Sequence, residues 1–236
     1  VNVLESVQYL LFSNRARPLR FFSDTQHFLN CCPSPVHAVQ IGDQRPLDKE
    51  YARMTTEPAP LLSINQLSLA FIDEENSDGR EQVLSDVSLD IYPATTHALV
   101  GESGSGKSVT ALSVLRLLQE VSQVRTIGRI FFKGVDLLTL STPDMLAIRG
   151  NQIAMIFQEP MTSLNPVYTI GNQLMEPLMQ HQRLDRAEAR RKAVQLLERT
   201  GITQPEYRVD SYPHQLSGGQ RERAMIAMAL ACRPAL

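Results

Sequence analysis

The sequence has few cysteines, no strong excess of either charge and no long apolar run. Three cysteines occur in 236 residues, and no C-x-x-C pair is present. A disulfide scaffold and a zinc ribbon are therefore both unexpected. The net charge of −2 argues against a nucleic-acid platform that is basic over its whole surface. The longest apolar run covers residues 224–232, which is too short to cross a bilayer.

Methionine is missing from the first 53 residues, because all eight methionines lie at or after Met54. The composition changes at the same point, and residues 1–53 show no sustained helical or strand periodicity. Two interpretations remain for this segment. It is either a real extension or translated upstream sequence that precedes a start at Met54. We expect residues 1–53 to be a non-native or disordered extension without function, and residues 54–236 to form the domain.

Hydrophobic patterning between these ends predicts strands that alternate with helices. Residues 61–71 and 83–92 alternate apolar and polar side chains, which indicates an antiparallel pair. The short run Thr96–Val100 is typical of a strand buried on both faces, and a helix is expected over about 107–120. Further expected elements are strands over 129–133 and 153–157, and helices that open near Thr142 and at Asp185, the second ending before Gly201. This order indicates a parallel α/β sheet beside a smaller β layer.

A phosphate-binding loop is the sharpest local signal. Residues 101–108 read Gly-Glu-Ser-Gly-Ser-Gly-Lys-Ser and match G-x-x-x-x-G-K-[ST] without a mismatch. Glycines let backbone N–H groups approach phosphate oxygens, and the following helix adds partial positive charge. Lys107 would bring a full charge to the β- and γ-phosphates, and Ser108 a hydroxyl to Mg²⁺. The predicted nucleotide-binding residues are Gly101, Glu102, Ser103, Gly104, Ser105, Gly106, Lys107, Ser108 and Val109.

A second glycine motif reads Leu-Ser-Gly-Gly-Gln over residues 216–220, and its serine follows Lys107 by 110 residues. Taken alone, it would fit a flexible glycine turn that caps a helix. The same features also make an anion site, because the glycines expose N–H groups and the helix that follows has a positive end. The predicted residues of this site are Ser217, Gly218, Gly219 and Gln220.

With both motifs, the chain resembles the nucleotide-binding subunits of ABC transporters, in which LSGGQ is the family signature. The stretches FQEPMTSLNP and YPHQLSGG resemble the oligopeptide and dipeptide importer ATPases, and ALVGESGSGKSVTALSVLRLL resembles their microcin C-type members. The resemblance covers about residues 61–236. It implies a P-loop nucleotide hydrolase core with a parallel sheet, an antiparallel β layer and a helical signature subdomain at about 160–220, ending before the Walker B strand.

This resemblance also implies roles for single residues, with ATP and Mg²⁺ as cofactors. Lys107 and Gln158 would serve catalysis, and Ser108 and Gln158 would approach the metal, since Gln158 matches the Q-loop of the family. Phe71 would stack on adenine, although packing is an alternative for this side chain. The signature would face the γ-phosphate held by a second cassette in a head-to-tail dimer.

The implied partners are membrane permease subunits and, indirectly, a solute-binding protein, with peptide uptake as the favoured transport class. The chain would be peripheral, at the cytoplasmic face of the plasma (inner) membrane, and would not bind nucleic acid. A soluble ABC-type ATPase of DNA repair or translation is the alternative. Those proteins insert coiled coils or zinc modules between the two motifs, and 110 residues leave no room for them. A third interpretation is a non-catalytic fragment.

We predict that residues 1–236 alone do not hydrolyse ATP appreciably, although the family is an ATPase coupled to transport. In the family, the next strand ends in an Asp that holds Mg²⁺ through water and a Glu that polarises the attacking water. In the family, a switch His lies further on, after the signature. His214 precedes the signature in this sequence, so it does not match the switch His. Positioning and charge stabilisation dominate phosphoryl transfer. Residues 1–236 do not include a match to the Glu that positions the attacking water, so we expect no appreciable turnover from them alone. Phosphate release at the rate of an intact cassette, removed by Lys107→Ala, would contradict this.

Overall fold

The computed structural model describes residues 9–12, 36–40, 59–72, 80–157 and 163–236. These residues form two compact units that meet between Ser141 and Thr142 in the sequence. The limits expected from the sequence, at residue 54 and at about 160–220, stay predictions. The described strands are β1 (Tyr9–Phe12), β2 (Val36–Gln40), β3 (Leu62–Ile72), β4 (Arg80–Ile91), β5 (Thr96–Val100), β6 (Val124–Phe132) and β7 (Val135–Asp136).

The helices of the described chain are mostly in the second unit. The first unit has α1 (Lys107–Val114) and α2 (Leu118–Val121). The second has α3 (Thr142–Ile148), α4 (Ile170–Gln182), α5 (Arg186–Arg199), α6 (Pro205–Arg208) and α7 (Gly218–Ala229). Short 3₁₀ turns cover Leu137–Thr139 and Pro213–Gln215. Within the described ranges, none of these helices is both long and apolar enough to span a membrane.

The first unit contains the predicted antiparallel layer, a four-stranded sheet in the order β4-β3-β6-β7. Its core side chains on β3 are Leu62, Ile64, Leu67 and Leu69, so the inward positions step by two except once. The exception is a bulge between Ile64 and Leu67, where the pairing register shifts. Opposite it on β6, Gly128 has φ +105°, and a Cβ there would lie 2.5 Å from the Gln66 carbonyl oxygen.

Strand β5 is buried, as its apolar sequence predicts, because it has a neighbour on each side. β1 pairs with it antiparallel and β2 pairs with it parallel. β1 and β2 both come from residues 1–53, and the expectation that this segment is non-native stays a prediction. Among the described strands, β2 with β5 is the one parallel strand pair, so the described residues show the antiparallel layer more completely than the predicted parallel sheet.

The helix expected over 107–120 was wrong in its length, because the chain turns at Arg116. Arg116 takes a left-handed conformation with φ 54°. The Leu117 N–H donates to the Leu112 carbonyl (3.1 Å) and the Arg116 N–H to the Ser113 carbonyl (3.0 Å), which is the Schellman pattern. The Arg116 guanidinium also donates to the Leu140 carbonyl (2.7 Å). Glycine is the usual residue at such a helix end. Because this position is an arginine, the sequence does not indicate that the helix ends here.

The buried strand expected at 153–157 was also wrong. Ile153 forms only an isolated bridge with Arg149, and Ile156 and Phe157 are 46% and 45% exposed. A buried strand needs hydrogen-bonded neighbours along its whole length. In the described chain such bonding stops at Ala154, whose N–H donates to the Leu236 carbonyl (2.9 Å). The strand predicted at 129–133 exists but is longer, as β6.

The second unit packs α4, α5 and α7 around one apolar core. Asp185 caps α5 as predicted, accepting from the Glu188 N–H (2.8 Å), and Gly201 follows the helix with φ +77°. The fully buried side chains of this core include Ile170, Leu174, Leu178, Ala189, Ala193, Leu197, Ala224 and Ala227. The apolar run at the end of the sequence thus completes a helical core.

Burial predicts low reactivity for Cys232, the cysteine in the described ranges. Its thiol lies against the Pro177 carbonyl, and burial raises the pKa of the Cys232 thiol, so less thiolate is present at neutral pH. In a Cys31→Ser/Cys32→Ser background, we expect a disulfide-exchange reagent at pH 7.5 to label Cys232 at least about tenfold more slowly than in 6 M urea, because the buried sulfur has to be exposed by local opening before it reacts. Equal rates in the two solutions would show that the thiol is accessible.

Candidate functional site

The loop between β5 and α1 is organised around a buried ammonium group. Lys107 is 3% exposed. Its Nζ donates to the carbonyls of Gly101 (2.8 Å) and Glu102 (2.7 Å) and to the Ser105 hydroxyl (3.2 Å). A buried cation is costly unless its donors are satisfied, and three oxygens satisfy them here. The loop therefore holds a full positive charge next to its own backbone.

The first turn of α1 adds a second source of positive charge. Gly106 is the N-cap in a left-handed conformation, with φ 89°, and no side chain caps the helix. No acidic residue lies in the first turn. Within the described chain, the N–H groups of Lys107, Ser108 and Val109 have no hydrogen-bond partner, as expected at an uncapped helix start. These donors and the helix dipole favour an anion.

Packing against β4 fixes the loop. A Cβ on Gly106 would lie 2.4 Å from Leu84 Cδ2 and 3.2 Å from the Val83 carbonyl oxygen. Only glycine allows this approach and the positive φ together. Gly104 also has a positive φ of 82°, but its Cβ would meet nothing within 4 Å. The two glycines thus serve different purposes, since one permits close packing and the other only a turn.

The second motif starts α7 in the second unit. Ser217 is the N-cap, and its hydroxyl accepts from the Gln220 N–H (3.3 Å) while the Gln220 side chain accepts from the Ser217 N–H (3.1 Å). This capping box confirms the predicted helix start. Gly218 and Gly219 are exposed, and a Cβ on either would meet nothing within 4 Å. Nothing in the described packing of this unit requires glycine at these two positions.

Several contacts hold the segment that leads into the second motif. The Ile170 N–H donates to the Ser211 carbonyl (2.9 Å) and the Gly171 N–H to the Val209 carbonyl (2.7 Å). Arg190 on α5 makes a bidentate contact with Asp210 at 2.6 and 2.7 Å. The hydrogen bond with this guanidinium lowers the pKa of the Asp210 carboxyl below its usual value, although solvent weakens such an exposed pair.

Helix α7 is also anchored beyond the motif, because the Arg223 guanidinium donates to the Gly201 carbonyl (2.9 Å). That carbonyl follows the end of α5, where the partial charge of a helix is negative and favours a cation.

A comparison of the sequence with models of known protein families agrees with the two motifs. The family model described as ABC transporter matches residues 84–236. The chain belongs to this family. The match includes both the loop of α1 and the motif of α7, so ABC transporter membership rests on the same residues as the geometry.

The similar ABC proteins include two transport proteins from bacteria. "Peptidoglycan transport ATP-binding protein YejF" of Agrobacterium fabrum is 53% identical over 182 residues, which cover 77% of this chain and 33% of that protein. "Probable peptide ABC transporter ATP-binding protein y4tR" of Sinorhizobium fredii is 48% identical over 186 residues, which cover 78% of this chain and 55% of that protein. The chain therefore spans about a third to about half of the length of these relatives.

Among solved structures, a dimeric ATP-binding cassette in a post-hydrolysis state with ADP and Pi is similar, with a TM-score of 0.58. The sequences are 23% identical, and the alignment covers 73% of this chain and 70% of that one. At this identity the likeness concerns the fold, and it confirms the predicted ABC ATPase architecture.

Of the other two predicted site residues, the structure describes Phe71 but not Gln158. Phe71 is partly buried on β3, between Glu81 on β4 and Val124 on β6. Gln158 lies outside the described residues, so its predicted role stays a prediction. Sequence reasoning missed Gly171, Gln173 and Arg223. One signal was available, since Gln173 interrupts the apolar side of α4 that Ile170 and Leu174 define.

The different surroundings of the two loop glycines predict different substitution costs. Gly104→Ala places a side chain in a left-handed conformation, which costs about 1–2 kcal/mol. Gly106→Ala should cost more in free energy of unfolding, because its Cβ also displaces Leu84. Urea unfolding of the two variants measures the difference. If Gly104→Ala were the more destabilising, the packing of the loop against β4 would be incorrect.

Proposed function

We propose that residues 101–109 bind the phosphates of ATP, and that the chain is the ATP-binding, energy-coupling part of an ABC transporter for peptide uptake. The observation that carries this proposal is the buried Lys107 ammonium beside an uncapped helix start. Both groups favour negative charge, and the loop has the G-x-x-x-x-G-K-[ST] sequence in which backbone N–H groups and a lysine together hold the phosphates of a nucleotide.

Lys107 would exchange part of its present bonding for a phosphate. Three donors are available on an ammonium, and two of the three present acceptors are backbone carbonyls. The weaker contact, with the Ser105 hydroxyl at 3.2 Å, is the one that we expect to be replaced by a phosphate oxygen. The carbonyl contacts would then keep the ammonium in place as charge develops on the γ-phosphate.

Ser108 fits Mg²⁺ by its chemistry and its place in the chain. Mg²⁺ takes oxygen ligands and keeps several waters, so one hydroxyl beside phosphates can suffice. Ser108 is partly buried in the first turn of α1, directly after Lys107. Bound there, the metal would neutralise charge on the β- and γ-phosphates. Gln158 would approach the metal, and Phe71 would stack on adenine.

The Ser217–Gln220 motif would serve the nucleotide of a second cassette in a head-to-tail dimer. Its two exposed glycines support this role, because they leave room for close approach without any requirement from their own unit. Lys107 and Gln158 would serve catalysis in the assembled protein.

Peptide uptake is supported by the names of the two relatives, which are peptidoglycan and peptide transport proteins. A permease in the membrane and a solute-binding protein would be the further partners, with the chain peripheral at the cytoplasmic face of the inner membrane. Nucleic acid is not among the proposed partners.

Loss of the Lys107 ammonium should weaken ATP binding. A charge-assisted hydrogen bond contributes about 1.5–3 kcal/mol, so Lys107→Ala should raise the Kd for MgATP by about tenfold to a hundredfold in titration calorimetry. Lys133→Ala is the matched control, because Lys133 is an exposed lysine of the same unit. Melting temperatures without nucleotide would show that both variants fold. An unchanged Kd in a folded Lys107→Ala protein would contradict the phosphate site.

A further inference from the structure

Gln173 is a polar side chain buried on the apolar side of α4. It is 7% exposed. Its amide nitrogen donates to the carbonyls of Asn165 and Tyr168, both at 3.0 Å, and its amide oxygen accepts from the Asn165 N–H at 2.9 Å. A side chain that makes three hydrogen bonds to one backbone turn determines the shape of that turn. Residues 165–169 therefore depend on Gln173 for their conformation.

The same helical turn also holds a second segment through backbone hydrogen bonds. Ile170 and Gly171 donate their N–H groups to the carbonyls of Ser211 and Val209. A Cβ on Gly171 would lie 2.6 Å from both Val209 Cγ2 and the Val209 carbonyl oxygen, so the two backbones touch. The first turn of α4 thus connects residues 165–169 with residues 209–211.

A short and well-bonded path leads from Ser211 to the signature motif. The Tyr212 N–H donates to the Gln215 side chain (2.8 Å), and Pro213–Gln215 forms a 3₁₀ turn. Leu216 is buried, and Ser217 caps α7 directly after it. Little of this segment is free to absorb a displacement, because each step is bonded or packed.

We propose that Gln173 is a positioning residue that couples the 165–169 turn to the Ser217–Gln220 motif through the first turn of α4. The turn exposes Val167 (72%) and Tyr168 (53%), so it is open to outside contact. A force on that turn reaches the motif that we assign to the second nucleotide. This inference rests on the proposed function only in giving the Ser217–Gln220 motif a role at a nucleotide. The coupling between the turn and the motif does not require a bound nucleotide.

Hydrogen exchange measured by mass spectrometry tests the coupling on the whole chain without nucleotide. Gln173→Met keeps an unbranched side chain but removes the three hydrogen bonds. We expect amides in 163–169 and also in 209–217 to exchange about tenfold faster, relative to α5 as an internal reference. The matched control is Gln180→Met, because Gln180 is exposed on the same helix.

Gly171→Ala tests the same coupling from the opposite side and decides the matter if Gln173→Met does not fold. Its Cβ should displace Val209 and raise exchange in 209–217 and in 163–169, whereas Asn172→Ala, an exposed neighbour, should not. Exchange that rises only on the side of each substitution would overturn the proposal, and so would an equal rise in α5. MgATP affinity is measured in parallel. Absence of ATP binding would contradict the proposed function and leave the coupling result intact.

Discussion

An ammonium group removed from water has to be surrounded by oxygen atoms, and this requirement shapes the loop of residues 101–108. Lys107 draws two backbone carbonyls and one hydroxyl inward, so the loop must curl around it. Curling requires left-handed backbone at Gly104 and Gly106, and close packing on β4 requires that Gly106 have no side chain. The strand, the loop and the helix are thus arranged around one charge.

The two glycine motifs differ in how they leave the backbone N–H groups at the start of the helix that follows. At α1 no side chain bonds to the first N–H groups, so these donors remain for a ligand. At α7 the Ser217 and Gln220 side chains satisfy each other's N–H groups, so the helix start is stable on its own. The first helix start therefore has backbone donors available to an anion, while the second has its capped donors satisfied within its own motif.

The sequence predicted those features that local chemistry decides. Asp185, Ser217 and the loop glycines have roles that follow from turn and cap preferences, and the structure has them at the expected positions. Features that depend on distant partners were missed. Residues 153–157 are apolar enough for a strand, but in the described chain their backbone bonding stops at Ala154. Arg116, at the end of α1, also contacts the Leu140 carbonyl, 24 residues away. The importance of Gln173 likewise depends on a fold around it.

The hydroxyl of Ser217 has one proton and two lone pairs. In the capping box it accepts from the Gln220 N–H, so one lone pair is used, while its own proton has no acceptor among the residues that the structure describes. The motif therefore offers its surroundings mainly hydrogen-bond donors, from the hydroxyl and from the glycine backbone at the helix start. Such a surface favours groups that can accept a hydrogen bond, whereas a cation would face the positive end of the helix dipole and a single free lone pair.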